Sequence, residues 1–215
     1  MKKRHLIDLR NSLRRRGFWV DIVEGEIVLD TWFSKSNYYE VVSLLSSFEF
    51  SLEPGNRGIR VKSNSSVPDD ILAKIETATR NDFERFNGKV ELPVFFQATS
   101  TNDLTICDLG YGIASLVFSL NKVGLYTSMS CDGHGREDAK IWFNGNQMRE
   151  VEHHLEMASR EISFAYDWEV NKENVGFVLI GRKRISRDRW NVSKVQDDAL
   201  AFSEYLINTY SPTIS

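Results

Sequence analysis

The chain has 215 residues, of which 41% are hydrophobic and 27% are charged, and its formal net charge is −3. This composition is ordinary for a globular protein, and it excludes a low-complexity chain and a protein whose overall charge is suited to holding a polyanion. Two cysteines are too few for a disulfide framework, no apolar run is long enough for a membrane helix, and no signal-peptide core follows the basic N-terminus, so we expect a cytoplasmic protein with reduced thiols and no membrane contact.

The first half of the sequence alternates helical periodicity with strand pairs. Leu6, Leu9 and Leu13 have helical spacing, and Gly17 is a suitable helix stop. Glu24-Gly25 is typical of a tight hairpin turn. The predicted elements are a helix over 6–16, strands over 18–23 and 26–33, a helix over 37–47, strands over 48–52 and 58–62, a helix over 68–86 and an edge strand over 90–98.

The second half shows the same alternation. Apolar residues from Ile113 to Val123 have the spacing of a buried helix face. Ser193 and Gln196 form a capping-box pattern at the start of the last helix. The predicted elements are a helix over 113–123, strands over 124–129 and 139–143, a helix over 147–158, strands over 162–170 and 175–180, and a final helix from Ser193.

The two halves resemble each other in pattern. Residues 12–19 match residues 119–126 as a helix end, a glycine and an aromatic-bearing strand. Later matches are a Trp-Phe pair at 32–33 and 142–143 and a Glu-Val pair at 40–41 and 150–151. We therefore predict an α+β fold of two related halves, 1–88 and 89–215, each an antiparallel sheet with packed helices. A long loop in the second half stands where the first has only Glu24-Gly25, so the functional elaboration belongs to the second copy.

That loop carries the sequence Ser130-Cys131-Asp132-Gly133-His134-Gly135, which concentrates a thiol, a carboxylate and an imidazole between glycines. Glycines allow close backbone approach, N–H groups and Arg136 can hold an anion, and an imidazole can move a proton near neutral pH. The leading interpretation is recognition or processing of a small anionic, nucleotide-like ligand at residues 130–136. The catalytic candidates are Cys131, Asp132 and His134, and the ligand-binding candidates are Ser128, Ser130, Gly133, Gly135, Arg136 and Lys140.

Two other chemistries fit the same loop. Cys131 and His134 have Cys-x-x-His spacing, and with His153 or its neighbour His154 on the following helix they would leave an open position on Zn²⁺, with Asp132 as a ligand or an outer partner. A thiol, an imidazole and a carboxylate are also the parts of an activated cysteine nucleophile.

Further alternatives lie outside the hexapeptide. Asp138-Ala139-Lys140 has the acidic-x-Lys form of restriction-type nucleases, which hold Mg²⁺ on carboxylates. Asp108-Leu109-Gly110-Tyr111-Gly112 precedes a helix and is able to hold an anion at the helix N-terminus. The basic stretch Arg182–Arg189, with Trp190 for stacking, and the basic N-terminus are candidate nucleic-acid surfaces. A partner-binding scaffold with a rigid turn is the non-enzymatic alternative, so the sequence leaves open whether the protein is an enzyme.

Residues 124–135 also carry a family resemblance. Their glycine, their Tyr126-Thr127 pair and their Ser-Cys-Asp-Gly-His sequence resemble a motif in uncharacterised bacterial and phage proteins. Ser130, Cys131 and Gly133 are similar to the Thr-Ser-Ser-Cys-Ser-Gly-Arg loop of the wybutosine-synthesis methyltransferase family, in which an arginine stands where this chain has His134. The resemblance implies a ligand-binding loop between two strands, and it does not extend to methyltransferase activity or S-adenosylmethionine binding.

Overall fold

The computed structural model describes residues 3–62, 66–83 and 104–210. The chain divides into two compact units between Asp108 and Leu109. The predicted boundary at residues 88 and 89 and the predicted edge strand over 90–98 lie outside the described residues. Within the described ranges, no helix combines the length and the apolar character that crossing a membrane requires.

The first unit is a four-stranded antiparallel sheet with helices. Its elements are α1 (Lys3–Arg16), β1 (Val20–Val23), β2 (Glu26–Leu29), α2 (Lys35–Ser47), β3 (Ser51–Pro54), β4 (Ile59–Lys62), α3 (Asp69–Glu76) and α4 (Arg80–Phe83). The strand order is β1-β2-β4-β3. Helix α1 buries Leu6, Leu9 and Leu13, which confirms the predicted apolar stripe.

The second unit repeats this arrangement. Its elements are α5 (Ala114–Lys122), β5 (Met129–Cys131), β6 (Ala139–Phe143), α6 (Met148–Glu161), β7 (Asp167–Lys172), β8 (Phe177–Arg182) and α7 (Val192–Tyr210). The strand order is β5-β6-β8-β7, and every neighbouring pair is antiparallel. Helix α5 packs against α7 and buries Leu116, Val117 and Leu120.

These units confirm the predicted α+β fold with two related halves. Both follow the order helix, hairpin, helix, hairpin, helix, and both sheets place the second strand of each hairpin at the centre. The matched glycines after the first helix of each unit, Gly17 and Gly124, have φ of 112° and 90°, a region that side chains disfavour. The match between residues 12–19 and 119–126 therefore extends to the backbone at the helix end and the glycine, but not to the strand, because β1 begins at Val20 and β5 begins only at Met129. The strand predicted over 124–129 is wrong except at its last residue.

The Trp-Phe match, in contrast, is wrong as a structural correspondence. Trp142 and Phe143 lie inside β6, whereas β2 ends at Leu29, before Trp32. A turn ends β2 because Asp30 Oδ1 accepts the Trp32 N–H at 2.9 Å and the Asp30 carbonyl accepts the Phe33 N–H at 3.1 Å. The predicted strand over 26–33 was therefore too long.

Two predicted helices also need correction. The helix predicted over 68–86 is two helices, because Asp82 Oδ2 accepts the N–H and the hydroxyl of Thr79, at 2.8 and 2.9 Å, and so starts a new helix. The last helix is capped by Asn191, whose Oδ1 accepts the Ser193 N–H at 2.9 Å. Gln196 is not part of a capping box, since its amide donates to the Tyr111 carbonyl.

Candidate functional site

The candidate site lies in the connection between β5 and β6. Cys131 is the last residue of β5, and its register partner on β6 is Lys140. The intervening loop contains one 3₁₀ turn, Gly133–Gly135, directly after Asp132. The chain therefore leaves the sheet at Cys131, turns back on itself within a few residues, and returns to the sheet at β6.

The turn places a thiol, an imidazole and a carboxylate in line. The Cys131 Sγ lies 3.8 Å from His134 Nε2. The other ring nitrogen, Nδ1, lies 3.1 Å from Asp132 Oδ1. A carboxylate beside Nδ1 favours the proton on that nitrogen, so the lone pair of Nε2 faces the thiol. This order of nucleophile, base and orienting acid is the arrangement of an activated nucleophile.

A left-handed backbone makes this geometry available over four residues. His134 has a φ of 49°, and the flanking Gly133 and Gly135 have φ of 73° and 69°. Left-handed conformation costs a non-glycine residue on the order of 1 kcal/mol, so His134 is held there by its surroundings. Its own N–H donates to Asp132 Oδ1 at 3.1 Å, and the Gly133 N–H donates to Cys131 Sγ at 3.4 Å.

The Asp132 carboxylate is anchored by the start of the second unit. Asp132 is 3% exposed, and its Oδ2 accepts the Gly112 N–H at 3.1 Å. A Cβ on Gly110 would lie 2.6 Å from the same oxygen. The sequence predicted an anion at Asp108–Gly112, and the group that lies there is the carboxylate of Asp132. The glycine spacing in this segment was the available signal that a group approaches the backbone closely.

The start of helix α7 packs against the loops that form the site. Val192, its first residue, contacts the positions where Gly112 and Gly135 would carry a Cβ, at 2.8 and 3.4 Å. Tyr111 lies between Gly110 and Gly112 in sequence, and burial, together with the charge of Asp132, raises the pKa of its hydroxyl. Sequence reasoning named the segment of Gly110 and Gly112 but not its partner Asp132, and it missed Val192, because these roles depend on contacts 20 or more residues apart in the chain.

The predicted ligand-binding residues do not all face the thiol. Lys140 pairs with Cys131 across the strands, so the two side chains share one face of the sheet. Ser130 pairs with buried Ile141 and, by strand alternation, points to the opposite face. Arg136 is exposed beside the turn. Ser128 is also exposed; it lies directly before β5, and its N–H donates to the Trp142 carbonyl. The Gly133 N–H offered for an external anion donates instead to Sγ.

The same three residues are the metal-ligand cluster of the described chain. One donor atom from each of Cys131, Asp132 and His134 lies within 4.8 Å of the others. His153 is not in this cluster, and its ring lies 5.9 Å from that of His154, which packs edge-on against Tyr210. Burial and the neighbouring His153 lower the pKa of His154.

Asp138 takes a different role from the one that a nuclease would require. Its Oδ2 lies 3.6 Å from the guanidinium of Arg182. Within the ranges that the structure describes, no group of three metal-ligating side chains includes Asp138. The geometry therefore gives Asp138 an ion-pair partner and does not assemble a Mg²⁺ site around it.

The first unit provides a contrasting thiol. Cys107 has no imidazole partner among the described contacts, and burial, followed by its contacts with Glu40, raises its pKa to about 12. Glu40 is itself occupied, since it accepts the backbone N–H groups of Ile106 and Cys107 at 3.2 and 2.7 Å. Cys107 is therefore a packed thiol in its neutral form, and it serves as an internal reference for Cys131.

No protein-family model matches the chain, and neither the curated proteins nor the solved structures gave a match. The geometry of Cys131, Asp132 and His134 is therefore the basis for assigning a function.

Proposed function

We propose that the protein binds a small anionic, nucleotide-like substrate at residues 130–136 and processes it by nucleophilic catalysis through the Cys131 thiol. The observation that carries this proposal is the 3.8 Å contact between Sγ and His134 Nε2, with Asp132 on the far side of the ring. A cysteine that only fills space in the core needs no imidazole beside its thiol. Cys107 is an example, because no imidazole is among its described contacts.

The reaction class is acyl transfer to water. His134 Nε2 takes the thiol proton, and the sulfur attacks the carbonyl carbon of an ester, thioester or amide. A C–S bond forms, the bond to the leaving group breaks, and His134 returns the proton to that group. Water then cleaves the thioester, with the same nitrogen accepting its proton and the thiol regenerated. Asp132 orients the ring and stabilises the imidazolium that forms at each step.

Positive charge beside the thiol supports an anionic substrate. Lys140 shares the face of the sheet with Cys131, and Arg136 is exposed one residue beyond the turn. A guanidinium binds carboxylates and phosphates through two parallel N–H donors. Arg136 would therefore hold the charged end of the substrate while its carbonyl lies at Sγ.

Alkylation kinetics test the nucleophile directly. In a Cys107→Ala background, iodoacetamide should modify Cys131 faster than a free cysteine near neutral pH, as followed by intact mass. His134→Ala and Asp132→Asn should slow this reaction about 10- to 100-fold, because the base or its orientation is lost. His153→Ala is the matched histidine control and should leave the rate unchanged. Equal rates in the parent and His134→Ala proteins would contradict the proposal.

Ester hydrolysis tests the substrate class. The protein should hydrolyse 4-nitrophenyl hemisuccinate in preference to the neutral 4-nitrophenyl acetate. Arg136→Gln should reduce kcat/KM for the anionic ester about tenfold and leave that for the neutral ester unchanged. Arg160→Gln, at an exposed position on α6, is the charge-matched control. Equal hydrolysis of the two esters would remove the anionic preference.

A zinc-dependent hydrolase is the second candidate, favoured by the three donor atoms within 4.8 Å of each other. A catalytic zinc normally has three protein ligands and a water. Here Asp132 already accepts from Gly112 and His134, so it fits an outer partner better than a ligand. One zinc per chain by elemental analysis, lost in both Cys131→Ser and His134→Ala, would favour this candidate over the thiol mechanism.

A further inference from the structure

The second unit contains a basic cavity that the proposed reaction does not use. Its volume is about 180 Å³, and it lies where the segment after β8 meets the start of α7. Four cationic side chains and one carboxylate line it: Lys183, Arg184, Arg189, Lys194 and Asp188. Tyr166 contributes the remaining polar wall. The lining therefore has an excess of positive charge, which attracts an anion.

Two of these cations have no anionic partner of their own. Arg184 is paired with Asp167 at 2.9 Å, and the Lys183 ammonium donates to the carbonyls of Ser186 and Asp188, both at 3.0 Å. Arg189 and Lys194 form no ion pair with any carboxylate in the described part of the chain. Their charges are therefore available to an anion in the cavity.

The position of Lys194 is a second, independent sign of an anion. It lies in the first turn of α7, a 19-residue helix with no acidic residue in that turn. The N-terminal end of a helix carries partial positive charge, so a lysine there is unfavourable and an anion is favourable. An anion bound there would offset both positive charges.

Hydrogen bonds within the second unit hold the walls of the cavity in place. Asp198 is 5% exposed and accepts the N–H groups of Ala165 and Tyr166 at 2.7 and 3.0 Å, which fixes the chain on one side. The Tyr166 hydroxyl accepts the Asn191 N–H at 2.9 Å and its ring stacks on Trp190. The Lys183 ammonium lies 5.2 Å from the centroid of the Trp190 ring, and Tyr166 stacks on the same ring. Trp190 therefore already has contacts within the protein, which leaves less of its ring for stacking on a nucleic-acid base.

We infer that this cavity binds the phosphate group of a small phosphorylated molecule. Its volume of about 180 Å³ is large enough for one or two phosphoryl groups. Arg189 can bind two phosphate oxygens at once, and Lys194 and the N-terminal end of α7 supply further positive charge. Cys131 does not line this cavity, so the inference about phosphate binding does not depend on the proposed thiol chemistry.

Calorimetric titration with pyrophosphate tests the assignment on the full chain. Wild-type protein should bind pyrophosphate with a stoichiometry of one. The double variant Arg189→Gln/Lys194→Gln should bind at least about tenfold more weakly, because both unpaired cations are removed. The control Arg160→Gln/Lys172→Gln removes the same charge from exposed positions outside the cavity and should bind like wild type. Cys131→Ala should also bind like wild type.

Three results would overturn the inference. The first is no measurable pyrophosphate binding at low salt. The second is an equal loss of affinity in the two double variants, which would make the effect one of net charge. The third is tighter binding of a 15-nucleotide single strand than of pyrophosphate, with the affinity for the strand lost in Arg189→Gln/Lys194→Gln. That result would make the surface a polynucleotide contact.

Discussion

The two units share one arrangement of strands and differ at one hairpin. In the first unit, Val23 pairs with Glu26 across the two-residue turn Glu24-Gly25. In the second, Cys131 pairs with Lys140 across residues 132–139. Both turns use left-handed residues, with φ of 53° at Glu24 and 49° at His134. The strand framework therefore accepts either connection, and the longer one holds the cluster of Cys131, Asp132 and His134.

The comparison also shows how each unit uses a buried carboxylate. Glu26 accepts the N–H groups of Asn56, Arg57 and Gly58 and so holds the β3–β4 turn in the first unit. Asp132 accepts backbone N–H groups in the same manner in the second, but it also faces an imidazole. A carboxylate that only stabilises a loop in one unit is part of a candidate site in the other.

Replacing residues 132–139 with Glu-Gly should have the largest effect. This change gives the second hairpin the connection of the first and keeps the pair between Cys131 and Lys140. We expect iodoacetamide reactivity of Cys131 to fall at least about 100-fold, because the base and the carboxylate are gone. The free energy of unfolding should fall by about 1–3 kcal/mol, since the Gly112 N–H loses its buried acceptor.

The matched change in the first unit is Glu24→Asn, which keeps a two-residue turn. It should leave the reactivity of Cys131 unchanged. Circular dichroism and intact-mass alkylation measure both proteins. If the shortened loop keeps a fast-reacting Cys131, then the reactivity does not come from His134, and the functional difference between the units is not in this connection.

Gly110→Ala should have an intermediate effect. Its new Cβ would lie 2.6 Å from Asp132 Oδ2, so the carboxylate must move away from its seat. We expect a loss of about 1–3 kcal/mol in stability and about a tenfold slower alkylation of Cys131. Gly145→Ala is the matched control, because its Cβ would meet only Gln147 Oε1, at an ordinary 3.7 Å. Equal behaviour of the two variants in thermal melts and alkylation would argue against the anchoring role of Gly110.

The smallest effects should appear in the pH dependence of stability. One buried carboxylate in each unit, Glu26 and Asp198, has a shifted pKa, and the two shifts have opposite directions. Burial raises the pKa of Glu26, but the N–H groups of Arg57, Asn56 and Gly58 and the Arg60 guanidinium outweigh it, so the pKa lies below its usual 4.5. Its contribution to stability is present above pH 4.5 and is lost as the pH falls through the folded pKa. For Asp198, burial outweighs its N–H donors and raises the pKa above 3.8.

Asp198 therefore contributes stability that is complete below pH 3.8 and is lost as the pH rises through its folded pKa. Between pH 6 and 3, Glu26→Gln should lose less stability than wild type, whereas Asp198→Asn should lose more. Hydrogen exchange of the β4 and β8 amides measures the two units separately. The same slope in both variants would show that these carboxylates do not distinguish the units.

Local patterns predicted the fold well where packing and local chemistry agree. The stripe of Leu6, Leu9 and Leu13 and the strand over 139–143 were both found as predicted. Two of the errors arose where one polar side chain sets an element boundary, as Asp30 does after β2 and Asp82 does at the start of α4. Such side chains override the apolar pattern, and hydrophobic spacing carries no signal of them.

For the site, the sequence identified the residue types but not their order in space. Cys131, Asp132 and His134 were named as candidates, yet the line from Sγ through the ring to the carboxylate depends on the left-handed φ of His134. The third position of a metal site was expected from His153, which lies outside the cluster. The pairing of Asp132 with Gly112 was out of reach because it depends on tertiary contact alone.

Val192 gives this unit an order of assembly during synthesis. Its side chain packs on Gly112 and Gly135, so both loops that frame the thiol are covered by the start of the last helix. On the ribosome, Cys131 leaves the exit tunnel some 60 residues before Val192. The packing around Cys131, Asp132 and His134 is therefore completed only after the final helix has emerged and docked.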